Sequence, residues 1–115
     1  MIIRAEQIQI LAAATYDRFC RIMADRVRTI WSEPFKGQSD EELRQCVAGW
    51  ITRGKNYGLR SEHALVCYID STCAMGNGFE ERENCRWARE ILTDARMSPE
   101  LKAIRLWARV RQEAK

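Results

Sequence analysis

A chain of 115 residues is near the common size of one domain, and its 46% hydrophobic and 30% charged residues are typical of a folded protein rather than of a disordered one. The net charge of +3 does not by itself indicate nucleic-acid binding, and no apolar run approaches the roughly 20 residues of a membrane-spanning helix. The first residues also lack the pattern of a secretory signal, so we expect a cytoplasmic protein whose five cysteines are reduced thiols.

The first predicted element is a long helix from about Arg4 to Trp31, which ends before Ser32-Glu33-Pro34 because the residue that precedes a proline avoids helical geometry. The basic residues Arg18, Arg21 and Arg28 share one face of this helix. Its buried stripe recurs every three to four residues and comprises Ile8, Leu11, Thr15, Phe19, Ile22 or Met23, Val27 and Ile30.

Clear start and stop signals delimit the second and third helices. Ser39 is an N-cap with Glu42 three residues later, the spacing of a capping box, and Gly58 supplies the left-handed position that closes the second helix. Ser61 then caps a third helix over about 62–75, which has few charges and is therefore expected to be the most buried element.

The last third of the chain is predicted to contain a solvated acidic loop and two more helices. Phe79 and Glu80 lie in this loop, a fourth helix covers about 84–94, and Ser98-Pro99-Glu100 starts a fifth helix that extends to about Gln112. The inward-facing residues are expected to be Trp87, Ile91 and Leu92 in the fourth helix, and Leu101, Ile104, Trp107 and either Ala108 or Val110 in the fifth.

The fold class follows from these elements. Every predicted element is helical, and no segment shows the sustained alternation of a β-strand. We therefore expect an all-α fold, a compact bundle of about five helices with a long N-terminal helix, and we expect residues 1–115 to form a single helical domain.

The residue types that usually carry catalysis are present, but not in catalytic patterns. The one histidine, His63, lies near Ser61, which is explained as a helix cap, and the nearest cysteines, Cys67 and Cys73, are six positions apart and face different directions on a helix. Gly76-Asn77-Gly78 lacks the lysine of a phosphate-binding loop. We expect no enzymatic activity, no cofactor and no metal site.

A DNA-binding helix-turn-helix is the main alternative from another class, because a short glycine-containing turn joins the second and third helices. The third helix, however, offers Glu62, His63 and Asp70 among apolar residues, not the Arg, Lys, Asn or Gln side chains that read bases. Protein binding is favoured instead. Four tryptophans are a heavy aromatic content, and Phe35 and Phe79 lie in loops, where each either folds back onto the domain or meets a partner.

Five short stretches of the chain resemble a bacterial family. They are Ile2-Ile3-Arg4-Ala5-Glu6-Gln7, Tyr57-Gly58-Leu59, Tyr68-Ile69-Asp70, Gly78-Phe79-Glu80 and Trp87-Ala88-Arg89-Glu90-Ile91-Leu92. Together they span nearly the whole chain and resemble small helical proteins encoded beside type VI secretion effectors, PAAR spike-tip proteins and their adaptors. The resemblance implies a co-chaperone-like accessory protein without enzymatic activity, which helps an adaptor hold an effector before loading. Glu80 stands where we would expect aspartate.

We therefore expect a protein-binding accessory factor whose partner is an adaptor, chaperone or effector of a secretion system. An immunity-type inhibitor of a neighbouring toxin and a small helical DNA-binding regulator are the alternatives. Rescue of a poisoned cell distinguishes the first, and DNA affinity that falls steeply with salt distinguishes the second. The residues expected to contact the partner are Arg18, Arg21, Arg28, Phe35, Phe79 and Glu80.

Overall fold

The computed structural model describes the backbone of residues 5–113 and the side chains of residues 15–113, and it confirms the predicted all-α fold class. Within residues 5–113 every regular element is helical. The predicted start of the first helix at Arg4 lies outside the described residues. The elements are α1 (Ala5–Ile30), α2 (Asp40–Asn56), α3 (Glu62–Met75), two 3-10 turns (Phe79–Glu81 and Glu83–Cys85), α4 (Arg86–Leu92) and α5 (Pro99–Glu113).

The start and stop signals read from the sequence act as expected. The Ser39 hydroxyl accepts a hydrogen bond from the Glu42 amide, and the Glu42 carboxylate accepts one from the Ser39 amide, which completes the capping box. Gly58 follows α2 with a φ of 88°, a left-handed conformation that glycine adopts without steric cost. The Ser61 hydroxyl caps α3 by accepting from the Ala64 amide at 3.1 Å.

Helix α3 is the centre of the fold, as its low charge predicted. It contacts α1, α2 and α5, and its buried residues include the polar Asp70, Ser71 and Thr72. Its most extensive packing is against α5, where Ala103 is completely buried. Small side chains allow the backbones of two packed helices to approach closely. Helix α5 is therefore part of the core packing around α3 and does not merely cover the surface of the bundle.

Helices α1 and α2 form an antiparallel pair that closes the other side of the core. Phe19, Met23 and Val27 of α1 are buried together with Val47 and Ile51 of α2. From the sequence, either Ile22 or Met23 could be the residue of α1 that faces the core at this turn. Met23 is 1% exposed and Ile22 is 51% exposed, so Met23 is the core residue.

The predicted inner face of α5 was wrong at two positions. Leu101 and Ile104 are 39% and 52% exposed, whereas the side chains that contact the core are Ala103, Leu106 and Val110. Both sets repeat every three to four residues, so periodicity alone admits either one. The tight packing on α3 selects the set that contains the small Ala103, because a larger side chain there would hold the helices apart.

Helix α4 is shorter than predicted, and of its three predicted inward residues only Leu92 is fully buried. It covers Arg86–Leu92, and a 3-10 turn takes the place of its expected first residues. Ala88 and Leu92 are buried, whereas Trp87 and Ile91 are half-buried. The Arg109 guanidinium lies 5.0 Å from the centre of the Trp87 ring, so this tryptophan packs along the side of α5 instead of entering the core.

Candidate functional site

The three arginines predicted as partner contacts on α1 have different surroundings. Arg18 and Arg21 are exposed, and among residues 15–113 neither has an ion-pair partner. Arg28 is half-buried: it donates a hydrogen bond to the Gln38 carbonyl at 2.9 Å and lies 3.1 Å from an Asp40 oxygen. Arg21 and Arg28 line a cleft of about 140 Å³ between α1 and α2. Arg28 thus fixes the α1–α2 connection, whereas Arg18 and Arg21 face solvent.

Phe35, in the loop between α1 and α2, folds back onto the domain. Its ring is half-buried and meets the Trp50 ring edge-on, with 5.7 Å between the ring centres. Trp50 is in turn held by a hydrogen bond from its indole N–H to the Asn77 side chain at 3.1 Å. Phe35 therefore covers the end of the core and leaves only part of its ring for another molecule.

The expectation of a solvated acidic loop is wrong for Glu80, and Phe79 folds back onto the domain, which was one of its two predicted alternatives. Phe79 is 0% exposed and Glu80 is 1% exposed, because the segment folds into a 3-10 turn that packs onto the bundle. Neither side chain reaches the surface in this conformation, so neither can form a partner contact there. Glu81 and Glu83 of the same segment are exposed, as the sequence predicted.

Glu80 is held inside the protein by a small polar network. The Tyr68 hydroxyl donates to Glu80 Oε2 at 2.5 Å, and Arg53 Nη2 lies 3.4 Å from the same oxygen. Burial raises the pKa of Tyr68 well above its usual value and the bond to Glu80 adds to the rise, so this hydroxyl stays protonated and donates. Glu80 Oε1 is buried and has no hydrogen-bond partner among the described residues. The network joins the first 3-10 turn to α2 and α3.

A second buried carboxylate, Asp70, joins α1 to α3. Arg26 donates to both of its oxygens, at 3.2 Å and 2.7 Å, and the Trp31 indole N–H donates to it at 3.2 Å. This bidentate contact fixes the orientation of both side chains. Asp70 is therefore a structural anchor between helices, and its oxygens are occupied by the protein itself.

The thiols and the histidine form no joint site. Cys67 and Cys73 are buried in the core, and burial raises the pKa of the Cys73 thiol to about 12, which makes it a poor nucleophile. His63 is exposed, with its Nδ1 3.5 Å from a Glu100 oxygen. Among the residues that the structure describes, no three His, Cys, Asp or Glu side chains gather as metal ligands do.

The surface feature that the sequence missed is a set of exposed apolar side chains. Ile22 and Ile30 of α1 are 51% and 53% exposed, and Leu101 and Ile104 of α5 add to them. Ile30, Leu101 and Ile104 were predicted to be buried, and Ile22 was one of two alternatives for a buried position. The exposure of these residues could not be predicted from the sequence, because each helix carries more apolar residues than its buried face can hold.

These exposed residues lie on two helices that both pack on α3. The rings of Trp31, just after α1, and Trp107, on α5, meet edge-on with 6.5 Å between their centres. Ile30 adjoins Trp31 in the chain, and Ile104 lies one helical turn before Trp107. The two tryptophans are half-buried, and their contact joins the end of α1 to α5.

The outward side of α5 combines apolar and basic residues. We define the α5 outer face as five exposed residues that follow each other at intervals of one or three positions on one side of the helix: Leu101, Ile104, Arg105, Ala108 and Arg111. Neither of its arginines makes an ion pair with another residue of the described chain. Glu100 borders this face four positions before Ile104, and its carboxylate is directed to Ser61 and His63 at the start of α3.

Over the residues that the structure describes, no helix contains an apolar stretch long enough to cross a membrane. Comparison with known proteins identifies no relative: no family model, no curated protein and no solved structure matches the chain. The fold and the surface chemistry of the chain itself are therefore the observations on which a function can be argued.

Proposed function

We propose that the protein is a non-enzymatic accessory factor that binds another protein. The observation that carries the proposal is the group of large apolar side chains left in contact with water, Ile22 and Ile30 on α1 and Leu101 and Ile104 on α5. Single exposed apolar residues are ordinary, but a chain that exposes several of them together with arginines has the composition favoured at protein interfaces. Covering them with a partner would remove apolar area from water, which is favourable by about 25 cal/mol per Å².

We further propose that the partner belongs to a secretion system. The resemblance of five stretches of the chain to accessory proteins of type VI secretion supports a co-chaperone role, in which the protein assists adaptor-mediated loading of an effector. The exposed arginines Arg18 and Arg21 on α1 extend the contact surface beyond the apolar residues. Such a role needs a stable scaffold with one accessible recognition surface, and it needs no reactive side chain.

Co-purification tests this proposal. The tagged protein is expressed together with the adaptor and effector genes that neighbour its own, and complexes are separated by size-exclusion chromatography. We expect co-elution with the adaptor or the effector and a higher yield of soluble effector. Leu101→Asp combined with Ile104→Asp should abolish co-elution, because each charge would be placed in the apolar contact.

A matched control is Ala95→Asp, since Ala95 is exposed but precedes α5 and lies outside the apolar group. This variant should co-elute as the unchanged protein does. A protein that elutes alone with every neighbouring gene product would contradict the proposal. Rescue of a cell from a neighbouring toxin, without any effect on loading, would favour an immunity role instead.

A further inference from the structure

The α5 outer face has the composition of a docking site for an acidic segment. It carries two large apolar side chains, two arginines and one alanine, all exposed. The acidic residues of α5 lie at its two ends and have partners: Glu100 is close to His63, and Glu113 accepts from Arg109 at 2.8 Å. The positive charge of Arg105 and Arg111 is therefore not balanced on this face by a carboxylate of the described chain.

The chemistry of the face argues against two other occupants. A second copy of the chain would place Arg105 and Arg111 against the same basic face of its partner, and like charges in contact oppose association. A lipid surface is met by amphipathic helices that sink their apolar side into the headgroup region. Here the more apolar side of α5 is already committed to the core, since Ala103, Leu106 and Val110 are all 0% exposed.

We propose that the α5 outer face binds an amphipathic helix of the partner protein that carries acidic side chains beside its apolar stripe. This inference rests on the proposed protein-binding function and names the chemistry of the partner. Leu101 to Arg111 extends over about 15 Å of helix axis, which matches about three turns of a docked helix. Apolar side chains of that helix would cover Leu101 and Ile104, and its carboxylates would pair with Arg105 and Arg111, since arginine offers a planar fork of donors to a carboxylate.

Site-specific photo-crosslinking tests the inference in the full-length chain. The photoreactive amino acid p-benzoylphenylalanine replaces Ala108, in the middle of the face, or Ala95 as the control position. Both proteins are expressed with the neighbouring genes, irradiated and analysed by mass spectrometry. We expect crosslinks from position 108, and none from position 95, to one segment whose sequence has helical apolar periodicity and an excess of Asp and Glu.

A synthetic peptide of the crosslinked segment then serves as the probe for fluorescence anisotropy. Combined Arg105→Glu and Arg111→Glu should weaken its binding by about tenfold or more, and binding should also weaken as salt is raised, because charge pairs at an interface rim are screened. Lys102→Glu is the control for each single arginine variant, because it makes the same change in net charge and Lys102 is half-buried and directed towards the Tyr57 carbonyl rather than onto the face. It should change the affinity much less.

The outcomes separate the inference from the function on which it rests. Crosslinks from position 108 to a second copy, to lipid or to a basic segment would overturn the inference, and so would the absence of crosslinks there. If a partner still co-elutes or crosslinks only at position 95, the protein-binding function stands and the assignment of the α5 outer face is wrong. If no partner co-elutes with the unchanged protein, both fail.

Discussion

At the scale of single residues, Glu80 shows how a carboxylate in an acidic segment can be buried. It lies among Glu81 and Glu83, which are exposed, and local sequence therefore predicts a solvated side chain. Its burial depends on Tyr68 and Arg53, which come 12 and 27 positions earlier in the chain and meet it only in the folded protein. Local sequence contains no signal for such a contact, which is why the position of Glu80 was not predicted.

We predict that Glu80→Gln destabilises the protein by about 1–3 kcal/mol, whereas Glu81→Gln changes stability by less than about 0.5 kcal/mol. In the first variant the amide oxygen can accept from Tyr68 and Arg53 in place of Oε2, but the carboxylate charge that faces Arg53 is lost and a buried N–H₂ without a partner replaces Oε1. The second loses only contacts at 3.6 and 3.9 Å from an exposed side chain. Urea denaturation followed by circular dichroism measures both, and equal effects would show that Glu80 is not held as described.

Cys73 gives a pH dependence whose direction can be worked out. Burial raises its pKa to about 12, from 9.0 for a free thiol. Between these values the unfolded chain loses a proton that the folded chain keeps, so the unfolded state binds fewer protons and stability falls as pH rises. We expect this group to remove about 1 kcal/mol of unfolding free energy between pH 8 and pH 10.

The measurement is urea denaturation of Cys73→Ala and of the unchanged protein at the two pH values. The variant should be less stable at both, because it leaves a cavity, but its decline with pH should be smaller. Some decline should remain, because burial raises the pKa of Cys67 and Tyr68 as well. Parallel pH curves for the two proteins would contradict the assignment.

At the scale of helices, the two glycines of α2 predict opposite effects for one substitution. A Cβ on Gly49 would meet nothing within 4 Å, whereas a Cβ on Gly54 would lie 2.8 Å from a methyl group of Leu65 on α3. Gly49→Ala should therefore stabilise by about 0.5–1 kcal/mol through helix propensity. Gly54→Ala should be less stable than Gly49→Ala by about 1–3 kcal/mol, because the α2–α3 contact must open. Thermal unfolding compares them directly.

The same logic tests which face of α5 is buried. Leu106→Ala should cost about 2–5 kcal/mol, because Leu106 is 0% exposed, and Leu101→Ala should cost less than about 1 kcal/mol. The two variants remove the same atoms from the same helix, so the difference reports burial alone. Chemical denaturation measures this difference, and a larger effect at Leu101 would indicate that the face predicted from the sequence is the buried one.

Helix boundaries and helix faces differed in how well the sequence predicted them. Boundaries depend on neighbouring residues: the hydroxyl of Ser39 reaches an amide three positions away, and Gly58 acts through its own backbone. The buried face of α5 depends on what α3 presents to it, which is a property of two distant segments. The all-α class was therefore predictable, whereas the exposed residues of the candidate surface were visible only in the folded chain.

At the scale of the whole molecule, we predict one cooperative unfolding transition. The four tryptophans lie at the end of α1 and on α2, α4 and α5, so their fluorescence reports on most of the bundle. If the described helices share one core, fluorescence and far-ultraviolet circular dichroism should give coincident urea curves. Separate midpoints would show that α4 and α5 unfold independently of α1 and α2.

The central place of α3 has a consequence during synthesis. The ribosome releases this nearly all-round buried helix well before α5, which covers one of its sides, has been made. During that interval the nascent chain exposes apolar surface of α3 and cannot complete its fold. Chains in such a state are prone to aggregate. Stalling translation ahead of residue 99 should yield a protease-sensitive, chaperone-bound chain, and release of α5 should convert it into a resistant one.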